Sequence, residues 1–397
     1  MTRTTIARAV LGALLASAAA FAGAAQPDLV PTTLSSARLP GDADMDRTPA
    51  QFAWAVSDAA DGAAPYLDES REFSTEVGAD TLAKGWRAPF TAPGAVVRIT
   101  PLPADPGAKA LTAPIAFESL EFRTASGKLA ALDAVANHAD AAQLRDAGMP
   151  MPDGSVAFKL RPELGANVTI ALAQPPAPRF LVHVFEPASR EVLSLGATRS
   201  TVLAGQALEA DVGLDSAQGK SLGRVSGMLV APDGSSQPVS FAKAGSGNAR
   251  TVVVPRGAAG MPGLWELHAF ATSSDGTVQR DAKTAFAVAV PRARTNGATR
   301  TTSTREGVRV DVAVNVAAAS RYDASAMLYA TDADGRSVPA AIAHSAAWLE
   351  PGSRTLTLSF PMALLAERGL HAPFVLRTLT LTDQSQQAIV EQRANPR

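Results

Sequence analysis

Apolar and polar residues alternate over short stretches along most of the chain from residue 72 onward. The clearest case is 308–316, where every second residue is valine and most positions between carry polar residues such as Arg309 and Asp311. Strict alternation of this kind is typical of a half-buried β-strand. The same pattern predicts strands in the first half of the chain at 72–77, 95–100, 115–123, 155–160, 168–173 and 179–186.

Residues 189–291 show almost no helical period and divide into short strand-like segments. Glycines in Asp-Gly pairs, such as Gly234 and Gly276, mark turns because glycine tolerates positive φ. About seven strands in one block are typical of an immunoglobulin-like β-sandwich. Residues 306–397 repeat the pattern and predict a second sandwich. The stretch 292–305, with four arginines and no acidic residue, is predicted to be a linker.

Two helices are predicted in the N-terminal part. Residues 51–60, which carry Phe52 and Trp54, favour a short helix. A second helix is predicted after Asp140, which can cap it, with Gln143 in the capping-box position and Gly148 as the stop. Residues 26–188 are therefore predicted to form a β-rich α+β domain. The predicted fold class is mainly β, with this N-terminal domain followed by two immunoglobulin-like β-sandwich domains.

The first residues are typical of a secretory signal peptide. Arg3 and Arg8 precede an apolar run at 9–21, and small residues follow at 22–25. We expect cleavage of residues 1–25 and export to the periplasm or the medium. The run is shorter than the ~20 apolar residues that a membrane-spanning helix needs. No later window comes close, so no transmembrane segment is expected after cleavage.

Composition narrows the chemistry further. The 397 residues include 36 Lys+Arg and 37 Asp+Glu, a balance that predicts no nucleic-acid partner. Hydrophobic residues make up 46% of the chain, which favours a folded protein over a disordered one. The absence of cysteine excludes disulfides, thiol nucleophiles and cysteine-based metal sites.

Motifs for metals and catalysis are sparse. No two histidines have the spacing of a zinc motif. The acidic run 42–46 begins like a calcium loop, but Arg47 stands where glycine is needed and Ala53 where glutamate is needed. Neither a cofactor, nor a metal site, nor a catalytic residue is therefore predicted. The N-terminal domain offers only scattered acid–base candidates, which are Asp133, His138, Asp140 and Asp146.

The tryptophans are the remaining candidates for ligand binding. Trp265 and Trp348 lie in predicted strands and are expected to be core residues. Trp54 and Trp86 lie in the predicted N-terminal domain and are our candidate ligand-binding residues.

Three blocks of sequence resemble known modules. The last block carries the segments YDASA (322–326), LEPG (349–352), TLTLSF (355–360), PFVL (373–376) and LTLTD (379–383). It is similar to immunoglobulin-like accessory modules of exported bacterial proteins. The middle block, with PGLWELH at 262–268, resembles another such module, and APGAVVRI at 92–99 resembles the leading part of the same proteins.

This succession resembles an uncharacterised family of exported bacterial proteins, in which an N-terminal domain of unknown function precedes tandem immunoglobulin-like modules. The resemblance implies a fold and a destination, and it carries no catalytic residues.

The leading functional hypothesis is an exported, non-catalytic binding, adhesion or accessory protein of the cell envelope or medium. Its partner would be a protein or glycan of the envelope or exterior, recognised through loops or edge strands. One alternative is a secreted hydrolase with its site in residues 27–188 and accessory sandwiches. Another alternative is an envelope assembly or chaperone-like factor.

Overall fold

A computed structural model describes residues 28–56, 66–104, 114–149, 151–257 and 260–396. The predicted signal peptide lies outside these residues. Within them, none of the helices has the length and apolarity that crossing a membrane requires.

Strands dominate the N-terminal part of the chain. They are β1 (Ala50–Ala55), β2 (Leu67–Ser70), β3 (Glu72–Gly78), β4 (Trp86–Arg87), β5 (Val96–Leu102), β6 (Leu120–Thr124), β7 (Gly127–Ala130), β8 (Val135–Asp140), β9 (Val156–Leu160), β10 (Thr169–Leu172) and β11 (Arg179–Phe185). The helices between them are α1 (Ala79–Lys84), α2 (Ala131–Ala134) and α3 (Ala141–Asp146).

The middle and C-terminal parts are built almost wholly of strands. The middle part contains β12 (Glu191–Ala197), β13 (Thr201–Leu203), β14 (Leu208–Ser216), β15 (Leu222–Val230), β16 (Ser236–Ser240), β17 (Ala242–Ala244), β18 (Asn248–Val253), β19 (Trp265–Ser273) and β20 (Gln279–Ala289). The C-terminal part contains β21 (Ala293–Ser303), β22 (Gly307–Val316), β23 (Ser320–Thr331), β24 (Ser337–Leu349), β25 (Gly352–Pro361), α4 (Met362–Ala366), β26 (His371–Asp383) and β27 (Ala388–Arg393).

The N-terminal module packs the sheet β4-β10-β6-β7 against the strands β3-β11-β5-β9-β8 around one apolar core. The predicted helix after Asp140 is confirmed as α3. The Gln143 N–H donates to Asp140 Oδ1 at 2.8 Å, and the Asp140 N–H donates back to Gln143 Oε1 at 3.0 Å. This reciprocal pair satisfies two backbone donors that the first helical turn leaves free.

The middle module is a sandwich of β17-β18-β14-β12-β2 on β16-β15-β19-β20. Trp265 is 2% exposed in its core, as predicted. The C-terminal module packs β1-β24-β23-β26-β27 on β21-β22-β25, and the alternating valines of β22 fill the space between these sheets. The predicted fold class is confirmed.

The predicted linker at 292–305 is wrong, because most of it is strand β21, paired with β22. Ala293 and Thr295 are buried on one side of β21, and the Thr295 hydroxyl donates to the buried Glu391 carboxylate at 2.7 Å. Arg294 therefore alternates with the buried Ala293 and Thr295 along a strand, whereas Arg292, just before β21, is itself buried. A flexible tether would not require that alternation.

The predicted helix at 51–60 is also wrong over residues 51–55. Residues 57–60 of this prediction lie outside the described ranges. Residues 50–55 form β1, which pairs antiparallel with β24 of the C-terminal sandwich, from Ala50↔Ala346 to Ala55↔Ala341. The segment is too short to be stable as an isolated helix. Pairing with the open edge of β24 supplies backbone hydrogen bonds and contacts for both aromatic side chains.

The segments 28–56 and 66–78 therefore pair with strands of all three modules in turn. Leu29 forms a two-way backbone bridge with Gln392 of β27, and β1 extends the C-terminal sandwich. The next strand, β2, pairs with β12 of the middle sandwich, and β3 enters the N-terminal module. The structure thus differs from the predicted domain at 26–188, whose first part packs on the other modules.

A buried arginine holds this N-terminal segment in place. Arg292 is 0% exposed and donates from Nη1 to Asp42 at 2.7 Å and from Nε to Asp383 at 2.9 Å, and Nη2 also contacts Ser385. Burial alone would raise the pKa of Asp42, but hydrogen bonds from Arg292 and from the Leu39 N–H lower it. Charges enclosed in this way stay ionised only because they are paired.

A second buried arginine joins the N-terminal and middle modules. Arg280, 1% exposed, pairs with Glu186 at 2.8 Å and donates to the hydroxyls of Thr91 and Ser189 at 2.6 and 2.8 Å. Glu186 is itself enclosed and accepts the Thr91 N–H at 2.6 Å. Both members of the ion pair therefore have further hydrogen bonds, whereas the carboxylate oxygens of the adjacent buried Glu191 have none among the described residues.

The sheets of these two modules also meet edge to edge. Asp281 of β20 lies opposite Glu72 of β3, and its Oδ2 accepts the Ser74 N–H at 2.5 Å. Its Oδ1 is enclosed without a hydrogen-bond partner among the described residues. Burial raises the pKa of Asp281 to about 6, against the opposing effects of the Ser74 hydrogen bond and of His183. Glu72, held by the His183 ring, has a lowered pKa.

Replacing the buried guanidinium should weaken the fold. In Arg292→Lys, one ammonium cannot reproduce the forked contacts to Asp42 and Asp383, so we expect a loss of about 2–4 kcal/mol in the free energy of unfolding. Urea unfolding measures the loss. The exposed Arg300→Lys is the matched control, expected within about 0.5 kcal/mol of wild type. Equal stability of the two variants would contradict the anchoring role.

Asp281 should make stability depend on pH. Because its folded pKa lies above the ordinary 3.8, its contribution is fully present below pH 3.8 and is lost as pH rises through about 6. Asp281→Asn should therefore stabilise the protein by about 1–3 kcal/mol at pH 7.5 and by a clearly smaller amount near pH 4.5. Thermal unfolding across this range tests it, with the exposed Asp215→Asn as control. A constant difference between Asp281→Asn and wild type would refute the assignment.

Candidate binding surface on the C-terminal sandwich

The sheet β1-β24-β23-β26-β27 has a buried face and an outer face. Tyr322, Ala324 and Leu328 of β23 point into the sandwich core. Successive side chains of a strand alternate between faces, so Asp323 and Ser325 lie on the outer face. Strand register then places residues of the neighbouring strands in rows across this face.

One row carries an exposed aromatic cluster. Phe52 of β1 lies opposite His344 of β24, and Trp54 follows two residues along β1 on the same face. Ring centroids are 4.9 Å apart for Phe52–His344, 5.4 Å for Trp54–His344 and 5.6 Å for Phe52–Trp54, with planes within 13° of parallel. Phe52 is 52% exposed and Trp54 46%. We call these three side chains the aromatic triad.

A buried carboxylate fixes the histidine of this triad. His344 Nδ1 lies 3.0 Å from Asp323 Oδ2 on the adjacent strand. Asp323 is 8% exposed, and its Oδ1 has no hydrogen-bond partner among the described residues. Burial raises the pKa of Asp323, and the hydrogen bond with His344 partly opposes this rise. The ring of His344 is thus oriented by a group beneath the surface.

A second aromatic site lies farther along the same face. The Arg47 guanidinium stacks 4.6 Å from the ring centroid of Trp348, whose Nε1 donates to Glu350 at 2.8 Å. Arg321 lies opposite Trp348 on β23 and donates to Gln384 Oε1 at 2.7 Å. Trp348 is half-buried here, so the expectation that it is a core residue is wrong.

Small residues separate the two aromatic sites. Ala50, Ala346, Asp323 and Thr382 form one row across four strands. Near the Thr382 end is a depression of about 440 Å³, lined by Met45, Asp46, Arg321, Thr382, Gln384 and Gln387. The row of small side chains therefore runs between bulky aromatic ones and ends at this depression.

The two tryptophans predicted to bind ligand are not brought together. Trp54 lies in the aromatic triad, on the C-terminal sandwich and not in the N-terminal module. Trp86 lies on β4 and packs, half-buried, against the N-terminal core. His344 is not among the ligand-binding residues predicted from the sequence. Its position two residues after Ile342 and four before Trp348, which places the three on one face of a strand, is the one signal that could have indicated it.

The metal and acid–base candidates of the sequence have other contacts in the described ranges. No group of three or more ligating side chains could hold a metal ion there. Asp42 of the calcium-like run binds Arg292. The N-terminal candidates Asp140 and His138 serve as a helix cap and a ring stacked 3.8 Å from Phe117, respectively.

The fold and this surface define the class of protein: a mainly β chain of three packed modules, with an exposed aromatic sheet face on the last of them. The chain belongs to the DUF4785 family. The model of the family's N-terminal domain matches residues 41–186, and that of its C-terminal domain matches residues 292–396; both are described as domains of unknown function. The resemblance to an uncharacterised family is thereby confirmed.

Solved structures support the fold. A DUF4785 family protein from Legionella pneumophila is similar over 93% of this chain and 98% of its own, with a TM-score of 0.69 and 21% identity. A repeat region of a large adhesion protein is 15% identical over 82% of this chain and 74% of that one. An Escherichia coli adhesin is 13% identical over 84% of this chain and 99% of that one. Both have a TM-score of only 0.21, and we draw no conclusion from them. No protein with a curated description matches the chain.

Proposed function

We propose that this chain is an exported, non-catalytic binding protein that engages its ligand through the outer face of the C-terminal sandwich. The observation that carries the proposal is the aromatic triad. Two large aromatic side chains remain about half exposed there, in nearly parallel planes on a sheet. Aromatic side chains are enriched at binding interfaces because they bury much apolar area with few rotatable bonds.

The surface is also preorganised. Phe52 and Trp54 are fixed by the pairing of β1 with β24, and His344 is held by Asp323. Side chains already immobilised in the free protein lose little further entropy when a ligand binds. Neighbouring rings on a regular strand therefore favour recognition more than a set of isolated, mobile aromatic residues would.

Export of the protein is part of the same proposal. The leader-like residues 1–25 support export, and the periplasm or the medium is the expected compartment. The ligand is then a protein or glycan of the cell envelope or exterior. An open sheet face suits such extended ligands better than it suits chemistry, which needs enclosed and water-free sites.

A hydrolase with accessory sandwiches is the second candidate. His183 Nε2 lies 3.2 Å from Glu72, and Asp281 faces both groups with its pKa displaced in the opposite direction from that of Glu72. Divergent pKa values of neighbouring acids can mark an acid–base pair. Here Asp281 is enclosed and bound to the Ser74 N–H, so a substrate could not reach it without opening the junction.

Binding should depend on the aromatic triad. Isolated envelopes of the encoding bacterium should co-sediment the wild-type protein, and Trp54→Ala or Phe52→Ala should weaken this binding by about tenfold or more, as truncation of an aromatic hot spot does. Tyr66→Ala removes another exposed aromatic ring, 65% exposed and outside the triad, and should bind like wild type. Equal co-sedimentation of all variants would refute the proposed surface.

A further inference from the structure

The outer face of the C-terminal sandwich offers neutral hydrogen-bonding groups beside its exposed rings. The row that holds Phe52 and His344 continues into Ser325 on β23 and Thr380 on β26. The next row places Thr382 beside Asp323. Within the described residues, the hydroxyls of Ser325, Thr380 and Thr382 have no hydrogen-bond partner, and all three residues are partly exposed.

The charged groups on the same face form no cationic cluster. Arg321 donates to Gln384 and to the backbone oxygens of Asp46 and Thr48, and Asp323 is paired with His344. Arg47 and Arg377 are exposed and lie against two different rings, those of Trp348 and Tyr329. The polar groups in the same row as Phe52 and His344 are therefore the hydroxyls of Ser325 and Thr380.

A neutral sugar chain matches this arrangement. Each pyranose ring has an apolar C–H face that stacks on an aromatic ring, and a rim of hydroxyls that both donate and accept hydrogen bonds. A polyanion would need a cluster of cations such as nucleic-acid and acidic-lipid sites supply, and Arg47 and Arg377 lie against different rings and form no such cluster. The face thus complements a neutral glycan better than an anionic polymer or a membrane.

The dimensions also fit an extended ligand. The row from Phe52 to Thr380 crosses four strands, and three interstrand gaps of about 4.8 Å give about 14 Å. The aromatic triad lies at the β1 end of this row and the free hydroxyls at the β26 end. A ligand that uses both ends must be longer than a single sugar ring.

We propose that the ligand of this surface is a neutral glycan, stacked on Phe52, Trp54 and His344 and hydrogen-bonded by Ser325, Thr380 and Thr382. The inference rests on the proposed function and specifies its ligand class. The hydroxyl residues act in binding and orientation only, and no bond of the glycan is made or broken.

The test distinguishes the glycans of the envelope from its proteins by destroying one class at a time. Envelopes are treated either with periodate, which cleaves the vicinal diols of sugars, or with a broad-specificity protease. We expect periodate to abolish co-sedimentation and protease treatment to leave it intact. The reverse result, loss of binding after protease treatment only, overturns the glycan inference while leaving the proposed binding function in place.

Variants separate the ligand class from the surface itself. The double variant Ser325→Ala/Thr380→Val keeps the aromatic triad but removes two free hydroxyls, and should weaken binding about fivefold or more. Thr302→Val, exposed on the opposite sheet, is the matched control and should bind like wild type. Circular dichroism confirms that each variant is folded.

The outcomes remain distinguishable. If Trp54→Ala weakens binding but the hydroxyl variant does not, the surface stands and the glycan inference is overturned. If neither variant has an effect, the proposed function fails together with the inference. Competition by a panel of neutral polysaccharides, with heparin as the anionic comparison, gives an independent readout. We expect at least one neutral polysaccharide to compete, and competition by heparin alone would overturn the inference.

Discussion

The pairing of the N-terminal segment with the last sandwich is the constraint on which the rest of the structure depends. Arg292, at the start of the C-terminal part, is bound at once by Asp42 before β1 and by Asp383 at the end of β26. Because Arg292 and Asp383 are fully buried and Asp42 is only partly exposed, none of the three can be released without leaving another charge unpaired. The segment that leads to β1 is therefore fixed, and β1 is delivered to the open edge of β24.

Several features follow from that pairing. The edge of β24 is covered, and β1 becomes the edge strand of this sheet in its place. Phe52 and Trp54 are carried onto the outer face and meet His344, so a surface is assembled that neither segment carries alone. The same segment then supplies β2 to the middle sandwich before the N-terminal module begins. The modules are thus interlocked by long-range strand pairs, and we expect slow folding because loop closure precedes those contacts.

Features encoded by a few neighbouring residues could be predicted from the sequence, whereas features that depend on distant segments could not. The valines of 308–316 and the Asp140–Gln143 box are local signals, and both predictions are confirmed because periodicity and capping act within a few residues. The segment from Ala50 to Ala55 has no such signal, since its strand character comes from β24, far along the chain. The stretch at 292–305 was assigned as a linker from its arginines, although Ala293 and Thr295 already alternate with polar residues.

The candidate site shows the same division. Trp54 could be named from its residue type, but its neighbours could not, because no local pattern joins β1 to His344.

The most direct test of the central claim is therefore a cross-link across β1 and β24. The protein has no cysteine, so Gln51→Cys with Ser345→Cys, which are directly opposite residues, creates a single possible intramolecular disulfide. Mass spectrometry after mild oxidation should find this bond in nearly all molecules, and little of it in the shifted pair Gln51→Cys with Ala346→Cys. Absence of the bond in the first pair, or equal yields in both, would contradict the account.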